Sequence, residues 1–298
     1  MHFLHEVLKR SVERALWLGG AAHVARRLRG GRSLVLAYHN IVPEGGAVVG
    51  DRSLHLPAEV FRAQLELILR THEVAPLSDI LNRTTSSRPA VAITFDDAYR
   101  GALTAGRAVL AEAGVPATFF VVPGLVGQSF WWDEIPMSEE LRQEILDRHA
   151  GRGQAVREQA SQRGIILQVP PEHARAATED ELREALTTPG ITFAPHSWSH
   201  PNLARLSGPD LRQELERPLE WLRSRFPIDR VLPLLAFPYG LSSVESRRET
   251  EAAGYEGAFA VSGGWIPRRQ SDPFSLPRLN IPDGLSSEGF GLRVAGAL

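Results

Sequence analysis

The chain has 298 residues, 43% hydrophobic and 23% charged, which is the balance of a globular protein with one sizeable core or two small ones. A net charge of -2 and a pI near 6.6 give no reason to expect a nucleic-acid partner. The absence of cysteine excludes disulfides, thiolate metal sites and a cysteine nucleophile, so any metal must be held by histidines and carboxylates.

Residues 1–32 form a basic region in which Leu4, Val7, Leu8, Val12, Ala15 and Leu16 recur at helical spacing, with Lys9, Arg10 and Arg14 between them. This pattern predicts an amphipathic helix whose apolar stripe has two candidate partners, an anionic membrane surface and the main domain. No apolar run here reaches the length of a secretory signal or a membrane span. The expectation is therefore a cytoplasmic protein, at the inner membrane surface if the helix lies on a membrane and free of it if the helix packs on the main domain.

From residue 33 onward, seven β-rich runs appear: "SLVLAYH", "AVAITF", "ATFFVV", "ITFAPH", "VLPLLAF", "GAFAVS" and "FSLPRLNI". Helical patterns at 57–71, 101–113, 178–188, 208–226 and 242–253 lie between most of them, and this alternation indicates parallel strands joined by crossover helices. The strands read as apolar on both faces, as a covered sheet or barrel requires. In such folds the chemistry gathers where strands end, on the loops leading into helices. Residues 128–190 interrupt the rhythm and read as an inserted segment of helical excursions over the barrel mouth, which makes 33–298 one domain.

Two strand ends carry the candidate chemistry. "AVAITF" runs into Asp96 and Asp97, where one aspartate would suffice to begin a turn or cap a helix. "ITFAPH" runs into "HSWSHPNL", placing His196 and His200 four residues apart, a spacing that brings two imidazoles to one ion. With no cysteine available the third ligand is a carboxylate, and the aspartate pair is the candidate. One carboxylate would bind while the other takes a proton from water. Adjacent side chains at a strand end normally diverge, so the chain after Phe95 must bend for both to reach one ion.

"TFDD", "HSWSHPNL" and "FPYG" in that order resemble the polysaccharide deacetylase family, which shares a homology domain with nodulation chitooligosaccharide deacetylases; the likeness spans roughly residues 33–282. The resemblance implies an α/β fold, a distorted, seven-stranded (β/α) barrel with an inserted helical segment. It also implies one divalent metal ion, usually zinc, and hydrolysis of N-acetyl groups from the amino sugars of a polysaccharide or other glycan. Carried over to this chain, Asp96 would be the general base, Asp97, His196 and His200 the metal ligands, and Tyr239 a backbone donor to the oxyanion.

Two positions depart from the family pattern. Many members carry an arginine that braces the base at the position of Ala236, and Arg278 in "LPRLNI" is the candidate substitute. Many also carry a late histidine as general acid, whereas none follows His200 here. His39, ending the first strand run, resembles the acid of the branch that includes the poly-N-acetylglucosamine deacetylases, in which the barrel order is permuted. First and last strands of a closed barrel are neighbours, so either can present such a group; a packed or turn imidazole bonded to Asn40 is the alternative.

Trp131 and Trp132 are candidates for a sugar-stacking platform or for packing of the inserted segment, and Trp198 for a wall of the site. His2, His5, His23, His55, His72, His149 and His173 lack paired spacing and read as surface residues. Two rival functions remain: an amidohydrolase acting on a small cyclic amide, and a catalytically impaired glycan-binding protein.

Overall fold

The computed structural model describes residues 2–80, 88–136, 138–267 and 272–298, and within these the side chains of all but residues 2–6 and 139. The side chains of His2, Leu4 and His5 thus lie outside the described ones.

Ten strands occur among the described residues: β1 (Ser33–Tyr38), β2 (Ala90–Phe95), β3 (Ala117–Val121), β4 (Ile191–Pro195), β5 (Leu234–Ala236), β6 (Gly257–Phe259) and β7 (Leu279–Asn280), with the short Asn40–Val42, His55–Pro57 and Glu73–Val74 besides. The main sheet runs β7-β1-β2-β3-β4, with Glu73–Val74 as a sixth strand on β2, and every ladder is parallel; β5 pairs with β6, and Asn40–Val42 with His55–Pro57, in separate parallel sheets. Isolated parallel bridges, Phe193 to Val231 and Phe259 to Leu276, lead from β4 towards β5 and from β6 towards β7. In β1 and β2 every residue is buried, as strands covered on both faces demand. Their register sets Ser33 beside Ala90 and Tyr38 beside Phe95, so His39 and Asp96 leave neighbouring strands at the same level.

The later strands are shorter than their apolar runs. Pro233 immediately precedes β5 and Pro277 stands just before β7; proline lacks the N–H that a ladder needs, so regular pairing begins after it.

Besides a single helical turn at Leu77–Ile80, the α-helices among the described residues are α1 (His2–Leu18), α2 (Ala21–Leu28), α3 (Ala58–Thr71), α4 (Arg107–Ala113), α5 (Trp131–Glu134), α6 (Glu139–Arg148), α7 (Gly153–Gln162), α8 (Glu179–Ala185), α9 (Gly208–Arg225), α10 (Val244–Ala252) and α11 (Ser287–Ala295). Helices α5 to α8 lie between β3 and β4. The first part of the predicted 101–113 helix is wound as a π-helix over Ala102–Gly106. Gly101 and Gly106 sit there against Asn40 and Ile41, where a Cβ would come within 2.3 and 2.9 Å of its neighbours.

The core under the strand ends is aromatic. Phe95 stacks on Phe119 at 4.7 Å between ring centres, and Tyr38 and Phe61 meet edge to face at 5.1 Å.

The amino-terminal helices dock on α11 in a way that periodicity does not suggest. Glu13 is buried and accepts a 2.6 Å hydrogen bond from Ser286 Oγ, the capping residue of α11. Gly289 leaves room for that carboxylate and Gly291 for the Trp17 ring. The residues of the predicted apolar stripe, Val7, Leu8, Val12 and Leu16, stay exposed instead of packing inward.

Candidate active site

The parallel sheet brings the carboxyl ends of its strands to one end of the molecule, and the candidate residues meet there around a cavity of about 220 Å³. His39, Asp96, Asp97, His196, His200 and Tyr239 all line it. Three sharp backbone reversals make this convergence possible. Asp97 adopts φ +67°, His200 φ +62° and Tyr239 φ +59°, left-handed conformations that are uncommon for residues with a Cβ. The first is the bend that two adjacent aspartates require in order to face one centre.

One ligand atom from each of Asp97, His196 and His200 lies within 4.8 Å of the others, and all three residues are buried. His200 Nε2 is 3.2 Å and His196 Nε2 3.7 Å from Asp97 Oδ1. His196 Nδ1 donates to the Ala236 carbonyl at 2.7 Å, which fixes the tautomer and leaves the Nε2 lone pair pointing inward. Asp97 Oδ1 is buried without a hydrogen-bond partner, an arrangement costly for a carboxylate unless a cation completes it. Burial, and then the charges of Asp96 and Asp133, push the Asp97 pKa well above its usual value. Burial lowers both histidines, keeping their lone pairs free. These three side chains therefore fit a divalent cation.

Asp96 has different surroundings. Arg278 Nη1 and Nη2 donate to its two oxygens at 2.6 and 2.8 Å, and the guanidinium is wholly buried, lying over Phe120. Burial alone would raise the Asp96 pKa, but the charge and hydrogen bonds of Arg278 outweigh it and hold the carboxyl below its usual range. Arg278, immediately before β7, thus braces the Asp96 carboxylate. His39 Nε2 stands 4.0 Å from Asp96 Oδ2, its side chain 16% exposed. Burial draws its pKa down to about 4 against the pull of Asp96, so the imidazole is neutral at pH 7 in the resting site.

The segment between β3 and β4 supplies part of the remaining wall. Trp131 and Trp132 are 4% and 5% exposed yet line the cavity, as does Arg142 of α6, which pairs with Asp51 at 2.5 Å. The two tryptophans therefore combine packing with a wall of the site. His200 lies between Trp132 and Tyr239, each ring centre 4.7 Å from its own. Trp198 does not line this cavity. Its ring takes the Arg217 guanidinium at 3.8 Å, and it borders a different cleft near α9. The positive φ of Ser197 and His200 turns the chain between the two histidines and carries the intervening tryptophan outward.

A buried hydrogen-bond chain stands behind Trp132. Asn40 Nδ2 donates to His55 Nδ1 at 2.9 Å, His55 Nε2 donates to Asp133 Oδ1 at 2.9 Å, and Tyr99 OH donates to Asp133 Oδ2 at 2.7 Å. Trp132 Nε1 completes the chain by donating to Tyr99 OH at 2.7 Å. His55, with no exposed surface, is thus not a surface residue. Nor is His72, which is buried and donates through Nε2 to the Val294 carbonyl. His173 is half-buried and accepts from Asn40, whereas His23 is exposed as expected. The sequence carries one hint of the chain, an acid directly following the tryptophan pair in "FWWDE".

The strand order and this carboxylate–histidine centre define a class, and comparison with known proteins gives it a name. Residues 83–258 match the polysaccharide deacetylase family model, more than half of the chain. The chain belongs to the polysaccharide deacetylase family. It is 21% identical over 262 residues to YxkH of Bacillus subtilis (strain 168), whose name places it among the polysaccharide deacetylases; the match covers 86% of this chain and 74% of that one. In fold it is similar to the Streptococcus pyogenes deacetylase PplD, solved with acetate, with TM-score 0.62, 17% identity and coverage of 89% and 98%. IcaB from Ammonifex degensii is similar in the same way, with TM-score 0.59, 16% identity and coverage of 90% and 97%.

Proposed function

We propose that this protein is a metal-dependent hydrolase that removes N-acetyl groups from the amino sugars of a polysaccharide or other glycan, on a distorted seven-stranded (β/α) barrel. The observation that carries the reading is the division of labour between adjacent aspartates, Asp97 unpartnered beside two histidines and Asp96 clamped by Arg278. Asp97, His196 and His200 would hold the cation, most simply zinc. When bound it would polarise the acetyl carbonyl and make water a stronger acid.

Asp96 accepts the proton of the attacking water, and Arg278 keeps that carboxylate ionised and aimed. The Tyr239 N–H donates to the oxyanion, and the Trp131 and Trp132 walls take the apolar face of the sugar ring. His39 delivers a proton to the departing nitrogen. Since it is neutral at rest, that proton is the one released by water, passed on over the short span from Asp96. The products are acetate and a free amine.

The bracing of Asp96 supports turnover over a binding-only role, for which an ionised base has no use. The test is acetate release from a panel of N-acetylated oligosaccharides by the zinc-loaded protein and by protein stripped with a chelator. Release confined to the loaded form supports the reading. Release unaffected by the chelator, activity on cyclic amides only, or glycan binding without release would each replace it.

A further inference from the structure

We propose that the outer face of α1 and α2 binds an anionic lipid surface. Seven of the sixteen exposed large apolar side chains among the described residues fall between residues 7 and 28: Val7, Leu8, Val12, Leu16, Leu18, Val24 and Leu28. Their exposure runs from 36% at Leu16 to 77% at Leu28. Such a cluster on a water-facing helix pair is costly unless something covers it.

The fold itself does not cover it, because the inner side of α1 is already committed to α11. Glu13 is held by Ser286 Oγ, and Gly289 and Gly291 are the small residues that admit Glu13 and Trp17. A Cβ at Gly291 would lie 2.3 Å from the Trp17 ring, so this contact is close-fitting. Turning α1 to bury its leucines would expel the face through which Glu13 and Trp17 pack on α11. Helix α2 follows the same plan, with Ala22 buried and Val24 and Leu28 outward, and Gly20 at φ +79° makes the turn between the two.

Charge decides which partner fits. Arg10, Arg14 and Arg27 are exposed on the same helix pair, and the one acidic residue between positions 7 and 28, Glu13, is buried. A second copy of the chain would set this basic face against itself, with repulsion across an apolar contact. An anionic bilayer satisfies both features, accepting the leucines at the acyl boundary while arginines reach the headgroups. No helix of the described residues is long and apolar enough to cross a membrane, so the contact lies in the interface plane.

The test uses the full chain and sucrose-loaded phosphatidylcholine vesicles with and without phosphatidylglycerol. The protein is expected to sediment with the phosphatidylglycerol vesicles and to stay in solution with phosphatidylcholine alone. Leu8→Ser with Leu16→Ser should weaken binding by roughly tenfold or more. Arg10→Glu with Arg27→Glu should weaken it by at least about fivefold per position, an effect that high salt reproduces in the wild type. All four residues are exposed and none lines the cavity, so thermal unfolding and acetate release from soluble substrate serve as controls and should not change. Equal binding to both vesicle types, binding untouched by the leucine changes, or a solution dimer that Leu8→Ser with Leu16→Ser dissolves would each overturn the proposal.

Discussion

Asp96 and Asp97 are neighbours in sequence with opposite surroundings, and single substitutions should separate them. Asp97→Ala, His196→Ala and His200→Ala are each expected to lose bound zinc and activity together, since three protein ligands leave none to spare. Asp96→Asn keeps the shape but cannot take a proton, so metal analysis should show normal occupancy while turnover falls by roughly 10²–10⁴-fold. His39→Ala should likewise retain metal. In its proposed role as proton donor to the leaving nitrogen, it should slow amide hydrolysis by about the same factor and an acetyl ester far less, and the ester-to-amide rate ratio measures this directly. Equal slowing of both substrates would remove His39 from that role.

Another single-residue effect concerns stability. His72 is 1% exposed, and burial, with Arg26 and Arg88 nearby, lowers its pKa from 6.5 to about 4. The folded protein therefore binds this proton less readily than the unfolded chain. The contribution is complete above pH 6.5 and is lost as the pH falls towards 4, on the order of 3 kcal/mol in all. Urea unfolding across this window should show that loss in the wild type and a shallower slope in His72→Gln.

Among elements, the segment between β3 and β4 and the stretch after β1 form one unit through the hydrogen-bond chain from Asn40 to Trp132. Tyr99 is its junction, accepting from Trp132 and donating to Asp133. Tyr99→Phe leaves a buried indole N–H and a buried carboxylate each short of a partner, at a cost of about 1–3 kcal/mol. Because Trp132 lies against His200 and forms the cavity wall, the expected signature is a raised KM with metal content unchanged. A change in thermal midpoint with identical kinetics would confine the chain to a structural role.

Across the whole molecule, the contact between Arg278 and Asp96 joins β7 to the end of β2 over 182 positions. This contact draws the last strand into the active site. Arg278→Met leaves the Asp96 carboxylate buried without its counter-charge and is expected to cost about 3–5 kcal/mol. Arg278→Lys restores the charge without the two-pronged geometry, so it should recover stability more fully than activity. Denaturant unfolding and acetate release, measured on both variants, distinguish bracing from simple charge balance.

Composition and spacing by themselves determined a good deal of this protein. Parallel strands with crossover helices follow from the alternation of apolar runs, and the pairing of "TFDD" with "HSWSH" points to a histidine–carboxylate centre, because hydrophobic period and ligand spacing are local properties of the chain. Local patterns could not decide which way side chains face once a turn takes left-handed φ, and so Trp198 leaves the site while Asp97 enters it. Periodicity likewise marks the apolar stripe of α1 without saying what it meets. A buried Glu13, held by a residue 273 positions away, turns that stripe outward. The chain through His55, Tyr99 and Asp133 and the clamp of Arg278 on Asp96 were also decided by tertiary structure alone. Each depends on groups far apart in sequence reaching one point in space, and only the closing of strands and helices around a common core sets those distances.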